Sequence, residues 1–274
     1  MQNANDFVLC QRAFTSNLLT SSLNFFHHLW PMFFFSKRKR DPVDLSWLST
    51  DMHSHLLPGI DDGSPDLSTS IELVKGFQSL GYKKIVTTPH VLWEIYPNTP
   101  EIISTKEKGL NEALGVADID IELKAAAEYF LDDHFVQQLK NKSPLLTLSQ
   151  NLVLVEFSMI AMPVEWQEVF FEMQMQNYQP VLAHPERYTY FGRRTEVFDQ
   201  LKDAGCWFQL NLLALSGYYG ETVQQLADYL LKKKYYDLAG TDLHHYKHLL
   251  QLQKLPGSQV NRLRDSGLIK NHLL

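Results

Sequence analysis

From about residue 45 onward, short apolar runs that favour β-strands alternate with stretches of helical periodicity. This alternation is typical of βα units arranged around a parallel sheet. After a first β-leaning run at 45–48, strands are predicted at 84–88, 121–127, 151–155, 180–183, 206–212 and 236–241. Helices are predicted at 66–81, 99–115, 164–177, 195–204 and 221–234, with one or two short helices in the remainder.

The length of the chain suits one catalytic domain. It has 274 residues, 45% of them hydrophobic, which is enough for a single α/β barrel of about 250 residues. No internal repeat or low-complexity linker interrupts the pattern. We therefore predict one domain that covers residues 45–274.

Residues 1–44 do not share this pattern and are interpreted as an N-terminal extension. Their apolar stretch is too interrupted for a membrane span, which takes about 20 mostly apolar residues, and it lacks the features of a signal peptide. We expect residues 1–31 to be dispensable and the working protein to begin near Met32. Aromatic residues 33–35 and basic residues 37–40 suit an anionic membrane surface, but a solvated terminus is the simpler interpretation.

The charge balance argues against nucleic acid as a partner, because the net charge is −6, the pI is near 6.0 and no long basic stripe is present. The only two cysteines, Cys10 and Cys206, are far apart and form no CxxC motif. This usage is typical of a reducing compartment. We therefore expect a cytoplasmic protein without a disulfide framework, and we place Cys206 in a core strand.

A first concentration of metal-capable side chains lies in residues 51–63, DMHSHLLPGIDDG. His53 and His55 are two positions apart, so in an extended segment both imidazoles would point to the same side. The DDG turn at 61–63 returns a carboxylate pair toward them. Two imidazoles and a carboxylate suit Mn, Fe or Zn better than calcium, although the motif alone would equally fit a surface histidine pair beside a turn.

Most of the predicted strands end in a residue that can bind a metal. The carboxyl ends of the strands in a parallel barrel open on one face, so residues far apart in sequence would converge there. The candidate ligands are His53, His55, Asp62, His90, Glu128, Glu156, His184, Asp242 and His244. Each alone has an ordinary structural explanation, but five histidines and four carboxylates exceed the needs of one ion and suit two or three. Such a cluster lowers the pKa of a bridging water and binds an oxyanion, which predicts hydrolysis, most naturally of a phosphate ester.

Arg187 follows His184 by three positions, in the segment HPER, and is a candidate for binding the phosphate. Its planar guanidinium can donate two parallel hydrogen bonds to phosphate oxygens. The structural alternative is an ion pair with Glu186 or with another surface carboxylate. We favour the phosphate role because Arg187 lies at the same strand end as a proposed ligand.

Several motifs together resemble the bacterial tyrosine-protein phosphatases of the PHP superfamily, the capsule-biosynthesis enzymes of the CpsB or YwqE type. The resemblance runs in the right order from about residue 45 to residue 245. It is carried by DMHSHLLPGIDDG at 51–63, TPHV at 88–91, YPNT at 96–99, AEYF at 127–130, VEFS at 155–158, AHPERY at 183–188 and GTDLHH at 240–245.

This resemblance implies a distorted (β/α)7 barrel of the TIM-like PHP type with three metal ions, usually manganese, with Fe, Zn or Mg as alternatives. It implies that the nine candidates above are the ligands and that Arg187 binds the phosphoryl group. The implied substrate is phosphotyrosine on the tail of a bacterial tyrosine kinase that controls capsule or exopolysaccharide export. Some members carry a second arginine after the last DxH; here Lys247 stands nearby and supplies a charge without a bidentate fork.

Other functions fit the residues less well. A cysteine-based phosphatase is disfavoured because neither cysteine begins a CxxxxxR loop, and an amidohydrolase would want a bridging lysine. A small-molecule PHP phosphatase such as histidinol phosphatase is the main alternative. A non-catalytic kinase-binding protein is a third, but a purely structural metal site needs neither an open coordination position nor a phosphate clamp.

Overall fold

The structure is a computed structural model that describes residues 43–274. The hypotheses about a dispensable N-terminal segment, a start near Met32 and a basic membrane-facing stretch concern residues outside the described range. Residues 43–274 lie within one compact unit. None of the helices within residues 43–274 is long and apolar enough to cross a bilayer.

All the strand pairings described between residues 43 and 274 are parallel, as the alternating pattern predicts. The strands form one sheet in the order β1-β2-β4 and a second in the order β3-β5-β6-β7-β8-β9. Their bounds are β1 (Thr50–Asp51), β2 (Lys84–Thr87), β3 (His90–Val91), β4 (Glu122–Ala125), β5 (Glu128–Phe130), β6 (Leu152–Glu156), β7 (Gln179–Ala183), β8 (Trp207–Asn211) and β9 (Tyr236–Gly240).

The two sheets are continuous through two interrupted strands. β2 and β3 are separated by Thr88 and Pro89, and a proline cannot donate a ladder hydrogen bond. The gap between β4 and β5, at residues 126–127, lies opposite Thr88 and Pro89 on the neighbouring strand. Across this break the Ala126 N–H donates to the Thr87 carbonyl (2.8 Å) and the Glu128 N–H donates to the Pro89 carbonyl (3.1 Å). The interruption therefore bends the strands without separating them.

The first and last strands meet at their carboxyl ends. The Asp242 N–H donates to the His53 carbonyl (2.7 Å), and the His55 N–H donates to the Leu243 carbonyl (2.9 Å). Gly240 permits this approach, because a Cβ there would lie 2.7 Å from the Cβ of His53. The residues after β1 and after β9 consequently lie beside each other.

Helices connect the strands, and two of them begin where the sequence signals predict. Asp66 caps the first helix, where its carboxylate accepts from the Thr69 N–H (2.8 Å), and Thr99 precedes a helix that begins with Pro100. The helices are α1 (Leu67–Ser79), α2 (Pro100–Val116), α3 (Asp133–Lys140), α4 (Trp166–Met175), α5 (Glu196–Asp203), α6 (Glu221–Lys233), α7 (Tyr246–Leu252) and α8 (Gly257–Asp265).

Two sequence-based expectations need correction. The β-leaning run at 45–48 is a 3-10 turn, Ser46–Leu48, and the first strand starts two residues later. Leu45 and Leu48 are buried and Trp47 is partly buried, so the run contributes to the core from a turn. Helix α3 was not predicted, since only Phe135 and Leu139 of its eight residues are buried. Cys206 is buried as expected and immediately precedes β8.

Candidate metal centre

The structure brings all nine candidate ligands together. Most lie at or just after the carboxyl end of a strand, whereas His90 and Glu128 begin β3 and β5, shortly after the ends of β2 and β4. They form four overlapping groups, and within each group the potential donor atoms lie within 4.8 Å of one another. The groups are His55, Asp62, His90 and His244; His53, His55 and Asp242; His53, Glu128 and His184; and His90, Glu128 and Glu156. The four groups form one continuous cluster, because several residues belong to two groups.

His53 and His55 turn their Nε2 atoms toward the centre of this cluster. His53 Nδ1 lies 3.0 Å from Gln209 Oε1, and His55 Nδ1 lies 2.8 Å from Asp61 Oδ2. Both oxygens only accept, so each Nδ1 carries a proton, and each Nε2 would offer a lone pair to a metal ion in the neutral imidazole. The two Nε2 atoms are 3.3 Å apart. Oriented imidazoles of this kind are typical of metal ligands.

Glu128 lies at the middle of the cluster and needs a cation. Its side chain is fully buried, and neither carboxylate oxygen has a hydrogen-bond partner among the described residues. The carboxylate lies 3.2 Å from His53 Nε2, 3.1 Å from His90 Nδ1 and 3.3 Å from His184 Nε2. A buried carboxylate surrounded by the nitrogens of three histidines is a donor set that fits divalent ions.

The electrostatics of the centre follow from burial and from these neighbours. Burial alone would raise the pKa of Glu128, but His53 and His90 outweigh it and hold that pKa well below its usual range. Burial and the Glu128 charge raise the pKa of Glu156. Burial and the Arg187 charge lower the pKa of His184 to about 4, which leaves the imidazole in its neutral, metal-binding form.

Asp62 completes the outer part of the centre. Its Oδ1 lies 3.5 Å from the Nε2 atoms of both His90 and His244. A hydrogen bond from His244 is the main cause that lowers the pKa of Asp62 to about 2. Gly63 allows the tight return of this turn, because a Cβ there would lie 2.3 Å from the His55 carbonyl oxygen.

Two of the candidate ligands have strained backbones. His184 has φ 33° and Asp242 has φ 50°, both in the left-handed region that non-glycine residues rarely adopt. Such residues cost about 1–3 kcal/mol each and cluster at functional sites. The fold therefore maintains two unfavourable conformations where they aim side chains into the cluster.

Arg187 contacts the centre directly rather than a surface carboxylate. One guanidinium nitrogen donates to Asp242 Oδ2 at 2.6 Å, and its Cζ lies 4.7 Å from the centroid of the Tyr219 ring. Glu186, the alternative partner, is buried and accepts from the Asn211 N–H and the Tyr236 hydroxyl. Arg187 is thus positioned to carry a positive charge beside the metal-capable residues.

A cleft of about 260 Å³ opens onto the centre. Its lining combines metal-capable residues, one arginine and apolar side chains. These residues are Asp62, His90, Leu92, Tyr96, Phe130, Glu156, Met159, Arg187, Asp242 and His244. The exposed Lys247 is not part of this lining, and its Nζ lies 6.0 Å from the centroid of the Tyr218 ring. A catalytic role for Lys247 stays a prediction.

The sequence analysis did not identify the residues that orient the ligands. Gln209 lies beneath His53 and also accepts from the His184 N–H (3.1 Å). Asn211 donates to Asp242 Oδ2 (3.0 Å) and to the Tyr219 hydroxyl (3.1 Å). An isolated Gln or Asn near a strand end carries no sequence signal by itself. Only their place on β8, beside the strands that bear the ligands, reveals the role.

Asp61 supports two ligands, and we predict that Asp61→Asn weakens metal binding. The Asp61 carboxylate accepts from His55 Nδ1–H and from the His90 N–H (3.1 Å). Loss of such a supporting charge typically costs about 10–100-fold in metal affinity. Competition between the protein and a fluorescent chelator measures it. The matched control is Asp120→Asn, the same substitution at an exposed residue before β4. Equal metal affinities of the two variants would contradict the supporting role of Asp61.

Two tyrosine-protein phosphatases are similar to this chain over most of its length. Tyrosine-protein phosphatase YwqE of Bacillus subtilis is 27% identical over 197 residues, which cover 72% of this chain and 78% of YwqE. Tyrosine-protein phosphatase CpsB of Streptococcus pneumoniae is 26% identical over 201 residues, which cover 71% of this chain and 82% of CpsB.

A solved structure is similar to this fold. It comes from a study of YwqE from Bacillus subtilis and CpsB from Streptococcus pneumoniae, described as unique metal-dependent tyrosine phosphatases. The match has a TM-score of 0.69 at 26% identity and covers 80% of this chain and 93% of that chain. The family model for capsular polysaccharide synthesis, CpsB/CapC, matches residues 49–251. The resemblance found in the sequence is thereby confirmed, and the chain belongs to the CpsB/CapC family.

Proposed function

We propose that this protein is a metal-dependent protein-tyrosine phosphatase, a phosphomonoester hydrolase. The observation that carries the proposal is the convergence of nine metal-capable side chains in one cluster, five of which line the same cleft as Arg187. The Nε2 atoms of His53 and His55 and the buried carboxylate of Glu128 point into the same space. The kinship with proteins named as tyrosine phosphatases supports the same reaction.

The proposed cofactor is two or three divalent ions, manganese in the first place and iron, zinc or magnesium as alternatives. When bound, such ions supply positive charge to the phosphate and a water of lowered pKa. The candidate ligands are His53, His55, Asp62, His90, Glu128, Glu156, His184, Asp242 and His244. Glu128 belongs to two donor groups, which suits a carboxylate shared between ions.

Arg187 is proposed to bind the phosphoryl group. Its guanidinium lines the cleft, and the Asp242 carboxylate keeps the pKa of Arg187 above its ordinary value despite burial, so the charge is permanent. The guanidinium N–H groups of Arg187 that do not bond to Asp242 can donate to non-bridging phosphate oxygens as negative charge develops on these oxygens. The apolar lining, which includes Tyr96, Phe130 and Met159, suits the phenyl ring of the substrate.

The proposed substrate is phosphotyrosine on a protein, with the tail of a bacterial tyrosine kinase that controls capsule or exopolysaccharide synthesis as the leading candidate. The match to a capsular polysaccharide synthesis family supports this assignment. A cytoplasmic location, with a possible approach to the membrane surface, is the corresponding proposal for where the protein works.

For the fold we propose a distorted, seven-stranded (β/α)7 barrel of the PHP type in a domain that spans residues 45–274. Counting β2 with β3 and β4 with β5 as interrupted strands leaves seven parallel strands. The hydrogen bonds between the segments after β1 and after β9 support closure of the ring. Residues 1–44 are the proposed extension.

The proposed activity predicts that chelator-stripped protein loses phosphate release and regains it with Mn²⁺. The test offers a tyrosine-phosphorylated peptide and histidinol phosphate in parallel, after supply of Mn²⁺, Fe²⁺, Zn²⁺ or Mg²⁺. A preference for the peptide supports the proposal. A preference for histidinol phosphate moves the substrate to small molecules, and silence on both substrates with metals bound contradicts phosphatase activity.

A further inference from the structure

Exposed apolar side chains are concentrated on two segments that border the cleft. The segment after β3 carries Trp93 and Ile95, and the segment after β6 carries Met159, Ile160 and Val164. Ile160 is 88% exposed and Val164 is 93% exposed. Large apolar side chains that gather beside a functional cleft mark a surface for a macromolecular partner.

A groove continues outward from this border, between α3 and α4. Two adjoining cavities of about 250 and 210 Å³ share Val136, Glu165 and Val169, so they form one channel along the two helices. Leu139 contributes at its far end, so the floor is largely apolar. We call the apolar border at 159–164 and this groove, together, the docking track.

The docking track is continuous with the cleft because the same two segments build both. Phe130 lines the cleft, and the next residue, Leu131, lines the groove. Met159 lines the cleft, and Pro163 of the same segment lines the groove. A polypeptide whose side chain enters the cleft can therefore continue along the track without leaving the surface.

The walls of the track are negatively charged. Asp133, Glu165, Glu168 and Glu172 line the groove, against one lysine, Lys140. None of these four carboxylates has an ion-pair partner within 4.0 Å among residues 43–274. An anionic occupant would be repelled here, whereas lysine or arginine side chains would find unpaired carboxylates.

We propose that the docking track binds the residues of the protein substrate that flank the phosphotyrosine, and that it selects flanks with positively charged and apolar side chains. The inference rests on the proposed phosphatase function and adds a substrate preference to it. In this arrangement Arg187 binds the negatively charged phosphate, while the acidic walls of the docking track bind positively charged residues on either side of the phosphotyrosine. The negative charge of the groove also disfavours an anionic membrane as its occupant, because the carboxylates and the lipid headgroups would repel each other.

The charge preference is tested with phosphotyrosyl peptides that differ only in their flanks. The manganese-loaded protein is assayed with Lys-flanked and Glu-flanked peptides and with p-nitrophenyl phosphate, which is too small to reach the groove. The Lys-flanked peptide is expected to have the higher kcat/KM. Glu165→Lys should lower kcat/KM for that peptide by about tenfold, mainly through KM, and leave p-nitrophenyl phosphate unchanged. Added salt should narrow the difference between the peptides.

Matched variants elsewhere on the surface supply the controls. Glu112→Lys makes the same charge change on an exposed residue of α2. Ile160→Ser, on the track, is compared with Val116→Ser, since Val116 is 92% exposed at the end of α2. The track variants should lose activity on the Lys-flanked peptide, and the α2 variants should not. Glu165→Gln, which removes charge without reversing it, should have an intermediate effect, and melting temperatures verify folding.

The outcomes separate this inference from the proposed function. If the metal-loaded protein hydrolyses neither peptides nor p-nitrophenyl phosphate, the proposed function is wrong. If it hydrolyses both peptides equally and Glu165→Lys matches Glu112→Lys, the phosphatase stands and the docking track is wrong. A preference for the Glu-flanked peptide would also overturn the inference.

Discussion

Arg187→Ala is expected to fold, to keep its metal content and to lose about a hundredfold to a thousandfold in kcat. The guanidinium lines the cleft but belongs to none of the four donor groups, so its removal spares the ligands. Its hydrogen bond to Asp242 is the contact most directly lost. Steady-state kinetics on a phosphotyrosyl peptide, together with metal analysis of the same preparation, measure both effects.

Arg187→Lys separates charge from geometry. Lysine keeps a positive charge but cannot make the two parallel hydrogen bonds of a planar fork, and it stacks less well on the Tyr219 ring. We therefore expect only partial recovery of kcat relative to alanine. Full activity of Arg187→Ala with normal metal content would refute the phosphate-binding role, and a loss of metal would reassign Arg187 to a structural role beside Asp242.

Helices and strands with long periodic patterns were predictable because each is determined locally. The helix from Leu67 to Ser79 has its aspartate cap, and the strand from Leu152 to Glu156 is an apolar run that ends in a glutamate. The short pieces were not predictable in this way. Two-residue strands such as β1 depend on hydrogen bonds to distant partners, and no periodicity exists in so few residues.

The clustering of the nine candidate ligands was predictable because parallel strands place their carboxyl ends together, so position in the chain indicates position in space. The supporting shell was not. The sequence offers Asp61 and Asp62 side by side, and only the fold shows that Asp61 bonds to His55 while Asp62 faces His90 and His244. The docking track likewise depends on which helices are neighbours, and α3 was itself unpredicted.

Glu128→Gln is expected to have the largest effect on metal content. The amide keeps the size of the side chain but removes the charge that lies close to His53, His90 and His184. Because Glu128 joins two donor groups, we expect metal affinity to fall by more than about a hundredfold and phosphate release to fall with it. Elemental analysis after dialysis measures the ions that remain. Wild-type protein should also gain thermal stability from added Mn²⁺, while the variant gains little, because only binding to the native state stabilises it.

Glu186→Gln is the matched control for this prediction. Glu186 is also a fully buried glutamate near the centre, but it accepts from Asn211 and Tyr236 and belongs to none of the donor groups. The same chemical change there should leave metal stoichiometry and the Mn²⁺-dependent gain in melting temperature unchanged. If both variants lose metal equally, the ions are retained by buried negative charge near the centre in general, and not by Glu128 in particular. If neither does, Glu128 is not a ligand, and its carboxylate is neutralised by the surrounding imidazoles alone.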